Sequence, residues 1–107
     1  MNVITEEIRA AAVKELSAAM EKHPLFVNLH EAYGVIREEL DEALVEFADC
    51  ERFFDMAWQM IKQDRNETAL EHLTRLKYAA ERLAIEAVQV SAMCIKAIES
   101  ERKEKNE

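Results

Sequence analysis

The chain has 107 residues, 50% of them hydrophobic and 34% charged, with a formal net charge of -8. This composition suits one globular domain near the lower end of comfortable single-core sizes and excludes a disordered tail. No apolar run approaches the roughly 20 residues needed to span a bilayer, and the acidity opposes direct binding to nucleic acid, where phosphate neutralisation supplies much of the affinity.

The first helix is expected over 5–22. Thr5 is placed to cap it, Glu6 and Glu7 suit its first turn, and Ile8, Ala12, Leu16, Ala19 and Met20 recur on one face. "KHPLF" ends it, because the residue before Pro24 is pushed out of helical geometry. The opening stretch has no apolar signal-like region, so a cytoplasmic location is expected.

The second helix is expected over 29–63. Asn28 and Glu31 form a capping box, and an apolar stripe runs through Leu29, Tyr33, Ile36, Leu40, Ala43, Leu44, Phe47, Phe54, Trp58 and Ile61. "KQDRNET" interrupts the pattern and offers two caps for a third helix over 68–100, Asp64 with Glu67 or Thr68 with Glu71. That helix carries Leu70, Leu73, Leu76, Leu83, Ala87, Val90, Cys94 and Ile98, and "ESERKEKNE" reads as a fraying end.

One Gly and one Pro in the whole chain fit such long helices. A single glycine also excludes a phosphate-cradling loop, so a bound nucleotide would be held by side chains and metal. The expected architecture is all-α: a long antiparallel hairpin with the N-terminal helix packed on it. Helices of about thirty residues run about 45–50 Å. One short helix cannot cover that length, so a homodimer completing a four-helix bundle is expected, or a tetramer. Cys50 and Cys94 lack CxxC spacing and fall at different levels of the hairpin, so they read as small hydrophobes rather than a disulfide.

"REELDEALVEF" holds Glu38, Glu39, Asp41, Glu42 and Glu46. With the turn centred near residue 65, Glu42 falls opposite Glu86 and Glu39 opposite Gln89. Each helix carries its two residues at i, i+3, hence on one side. At 100° per residue these positions lie about 60° and about 120° from the centres of their apolar stripes, at the boundary between core and water. Three carboxylates and an amide therefore converge. Like charges brought together favour a cation among them, and hard oxygen donors suit Mg²⁺ or Mn²⁺. Glu38 and Asp41 read as solvated, Glu46 as a solvated residue or a peripheral ligand at the boundary, and Glu31 as a cap. A di-iron bundle is set aside, because His23, His30 and His72 follow Met, Val and Ala at the third position before them, never Glu.

"LHEAYGVIREELDEALVEF" with "EAVQVSAMCIKAI" resembles the MazG-type all-α nucleoside triphosphate pyrophosphohydrolases, in particular small phage-associated members. The resemblance covers about residues 29 to 98. It implies an E-x-x-E and an E-x-x-D pair binding Mg²⁺, with Glu39, Glu42 and Glu86 matching the acids and Gln89 standing where the family has Asp. It also implies conversion of a nucleoside triphosphate to monophosphate and pyrophosphate, with Glu38 as general base. The family's further helix of nucleotide-contacting cations has no match here. Lys77, Arg82 or Arg75, or first-helix residues of a partner subunit, are expected to bind substrate. Tyr33, Phe47, Phe54 and Trp58 are candidates for an aromatic base pocket. The non-enzymatic alternative is a catalytically inactive helical dimer serving as an interaction or scaffold protein, with solubilising acids.

Overall fold

The computed structural model describes the backbone of residues 2–105 and the side chains of 3–103. The described residues form three helices and no strand: α1 (Asn2–Lys22), α2 (Leu29–Lys62) and α3 (Asn66–Lys105). The chain is all-α. None of the helices is long and apolar enough to cross a membrane.

The helix ends follow backbone chemistry more than side-chain caps. Asn28 does cap α2, its Oδ1 accepting from Glu31 N at 2.9 Å. At the far end, Asp64 N donates to Ile61 O at 3.0 Å and Arg65 N to Met60 O at 2.9 Å. This pair of bonds is a Schellman motif, and Asp64 takes its left-handed position at φ 55°. Glycine is the commonest residue there, but the only one in this chain, Gly34, lies inside α2. The turn is so short that α3 starts at Asn66, with the Arg65 carbonyl accepting from Ala69 N at 3.0 Å. Asp64 thus turns the chain rather than capping α3, and Thr68 lies within the helix. At the other extremities α1 begins at Asn2, which puts Thr5 inside it, and α3 runs on to Lys105 instead of stopping near residue 100.

The expected single domain packs as two compact units that share α2 and α3. One comprises residues up to Leu40 with those from Glu86 onward; the other is Asp41–Ile85. In the second unit, the remainder of α2 folds back on the start of α3 as an antiparallel hairpin. Its seam buries Cys50, Ala57, Ala69, His72 and Ala79. Ala43, Glu46, Phe53, Met60, Leu76 and Leu83 are half-buried alongside them, completing a spacing of three and four on each helix.

This seam keeps Ala43, Leu76 and Leu83 of the stripes expected from the sequence but not the large residues of α2. Leu44, Phe47, Phe54, Trp58 and Ile61 form a second ladder one position round from the buried one, and they remain exposed, Phe54 by 60% and Trp58 by 51%. Alanine and cysteine let two helices approach closely, whereas the larger ladder would hold them apart. The expected exposure of a large apolar face is therefore present, and it falls on the bulkiest residues.

In the first unit, α1 contributes Ala12 and Leu16 to the interior. The 23–28 connection then tucks Phe26 against Ala32 and Ala97, with Val35, Ile36 and Met93 around them. Phe26 N donates to Ser100 Oγ at 2.9 Å, and Lys96 Nζ, on a side chain only 4% exposed, lies 4.4 Å from the centre of the Phe26 ring. These contacts anchor the link that brings α1 alongside α2 and α3.

Candidate metal centre and the cleft beside it

Register decides which acids meet. In the hairpin unit, Arg82 Nε donates to Glu46 Oε2 at 3.0 Å. Seven residues earlier on α2 and seven later on α3, Glu39 meets Gln89 in the first unit, as the sequence register requires. Gln89 faces two acceptors, Glu39 Oε2 and Glu86 Oε2, each at 3.1 Å; in the absence of a cation the amide is assigned with its NH₂ toward them, so that it donates to both. Glu39 and Glu86 each offer a carboxylate oxygen within 4.8 Å of the other. Glu39 and Glu86 are half-buried and Glu42 is exposed.

The donor chemistry fits a hard divalent cation. Ligand oxygens about 2.1 Å from Mg²⁺ in an octahedron stand about 3.0–4.2 Å apart. A spread of up to 4.8 Å closes to that range with small side-chain rotations. To ligate a metal, Gln89 needs the opposite assignment, with its carbonyl oxygen toward the carboxylates, because only that oxygen can be a ligand. In its present orientation the amide offsets part of the repulsion between the two acids.

The other sequence candidates fall elsewhere. Glu38 is exposed on α2 and Asp41 is exposed beyond it. Glu46 is a half-buried partner of Arg82 rather than a solvated acid. Lys77 lies in the hairpin unit, 3.5 Å from Glu81 Oε1 and 4.6 Å from the Tyr78 ring centre. Arg75 Nη1 lies 3.3 Å from His72 Nδ1, in the same unit. The cysteines are free, as expected.

A cleft of about 290 Å³ opens in the first unit, lined by Glu15, Ala18, Ala19, Lys22, Glu39, Gln89, Ala92 and Met93. Tyr33, Phe47, Phe54 and Trp58 are not among its lining residues; Tyr33 instead flanks a shallow apolar recess with Leu29 and His30. Lys22 and Glu15 are the residues that sequence reasoning missed. Lys22 reads as an ordinary cation in the last turn of α1, and only the docking of that helix brings it to the cleft. No protein-family model, curated protein or solved structure matches this chain.

The cleft and the acids share two residues, Glu39 and Gln89. Such an arrangement can hold a cation at a wall and a second group in the open space next to it.

Proposed function

We propose that the protein is a Mg²⁺-dependent nucleoside triphosphate pyrophosphohydrolase, with Mn²⁺ as an alternative ion. Glu39, Glu42 and Glu86 would hold the cation, with the Gln89 oxygen as a neutral fourth donor. The observation that carries this reading is the meeting of Glu39, Glu86 and Gln89, two of which, Glu39 and Gln89, line an open cleft. When bound, the ion would neutralise triphosphate oxygens and lower the pKa of a coordinated water.

The chain's own part is then to bind, orient and accept. Glu39 and Glu86 sit on facing helices, so the stiffness of two helices sets their separation. Glu42 is exposed, so its side chain can adjust. Glu38, exposed and about 100° round α2 from Glu39, would accept a proton only from water on the solvent side. Arg82 and Lys77 are paired with Glu46 and Glu81, and such exposed pairs hold them only weakly, by about 0–1 kcal/mol.

A second reading has one observation in its favour. The NH₂ of Gln89 already satisfies Glu39 and Glu86, so the acids could serve only to lock α2 to α3 in an inactive interaction protein. In either case, we assign the exposed ladder of Leu44, Phe47, Phe54, Trp58 and Ile61 to a homodimer that completes a four-helix bundle. A cytoplasmic nucleotide pool would supply the substrate.

The test is pyrophosphate release from a panel of ribo- and deoxyribonucleoside triphosphates with Mg²⁺ or Mn²⁺. The expected result is metal-dependent release, reduced at least a hundredfold in Glu42→Gln on the scale of a lost electrostatic catalytic contact, roughly 10²–10³. Release unchanged in that variant would remove Glu42 from the chemistry, and no release from the wild type with any nucleotide would favour the inactive dimer.

A further inference from the structure

The cleft wall opposite the acids belongs to α1, and its chemistry there is sparse. Ala18 and Ala19 present no more than a methyl group, as does Ala92 from α3, so three small residues keep the space open. Lys22 is the one cation among the described lining residues. It is exposed, and no ion pair ties it to a carboxylate among the described residues. Lys77 and Arg82, by contrast, are both paired.

We propose that Lys22 is a substrate-binding residue that receives the phosphate chain of the nucleotide; the inference rests on the pyrophosphohydrolase reading above. A triphosphate laid along this cleft would face Glu15 and Glu39. A cation at the acids relieves the repulsion at one end only, and a second positive charge is needed further along. Lys22 supplies it from a flexible four-carbon stem that can follow the chain of phosphates. At about 290 Å³ the cleft is at the small end of the ligand-site range, roughly 300–1,000 Å³. It contains no aromatic face on which a base could stack. The substrate would enter with its phosphates inward and its base toward the rim. The first helix of the same chain, rather than that of a partner subunit, would then complete the site.

The test uses inorganic tripolyphosphate as probe, in excess Mg²⁺, followed by calorimetric titration of the full chain. Wild type is expected to bind it. Lys22→Ala should weaken binding at least tenfold, on the scale of one charge-assisted contact, and Lys22→Arg should restore most of it. Mn²⁺ alone, titrated into the same three proteins, should bind equally to all. Equal tripolyphosphate affinity in Lys22→Ala, with Mn²⁺ binding intact, would overturn the role of Lys22 and leave the metal reading standing. If the wild type binds neither Mn²⁺ nor tripolyphosphate, the metal reading fails and the inference fails with it.

Discussion

Replacing Gln89 by Asp is expected to lower the melting temperature in chelator and raise it in Mg²⁺. Without metal, the variant loses two amide donors to carboxylates, at 3.1 Å each in the wild type, and gains a fourth negative charge in their place. Hydrogen bonds to charged groups contribute about 1.5–3 kcal/mol each when well shielded. The half-buried setting reduces that, so a net loss of about 1–3 kcal/mol is expected, several degrees for a domain of this size. With metal the sign reverses. A fourth anionic ligand tightens the site, and an ion present at a hundred times its Kd stabilises the fold by about 2.7 kcal/mol. Parallel thermal melts of both proteins, at one chain concentration and in chelator or saturating Mg²⁺, read the crossing directly. A variant that is less stable than wild type by the same amount in both conditions would mean that the acids do not take up the ion.

The second large effect concerns the exposed ladder. Phe54→Glu combined with Trp58→Glu should convert a dimer into monomers at micromolar concentration, as read by sedimentation velocity. Burying an aromatic side chain of this size contributes about 1.5–3 kcal/mol. In a two-fold dimer each substitution acts twice, and a carboxylate forced into the interface adds a desolvation cost. The dissociation constant should therefore rise by at least a thousandfold. The hairpin seam contains neither residue, so helix content at low temperature should persist in the variant. A wild type that already sediments as a monomer at high concentration would remove the dimer from this account.

The same ladder marks the limit of what the sequence could tell. Two apolar ladders run side by side along α2, one of Ala43, Cys50, Phe53, Ala57 and Met60, the other of Leu44, Phe47, Phe54, Trp58 and Ile61. Helical periodicity detects both but cannot say which faces a partner within the chain, and hydrophobicity alone selects the bulkier one. Close packing prefers the smaller. The acids were legible for a different reason: a short turn after a long helix fixes the hairpin register, and register alone pairs Glu39 with Gln89. The Glu46–Arg82 ion pair obeys the same register, although Glu46 was read as solvated because an acid at a boundary position has no local mark of its partner. Lys22 was illegible altogether. Its placement depends on how α1 docks, through Phe26 and Ser100, and no periodicity within α1 encodes that.

The central claim is that Glu39, Glu42 and Glu86 hold a divalent cation, and binding tests it more directly than turnover. Wild-type protein and Glu86→Gln would be titrated with Mn²⁺, the free ion being followed by its electron paramagnetic resonance signal. The account predicts one saturable site per chain in the wild type, competed by Mg²⁺ and lost in Glu86→Gln. No saturable binding at millimolar Mn²⁺, or equal binding in the variant, would contradict it.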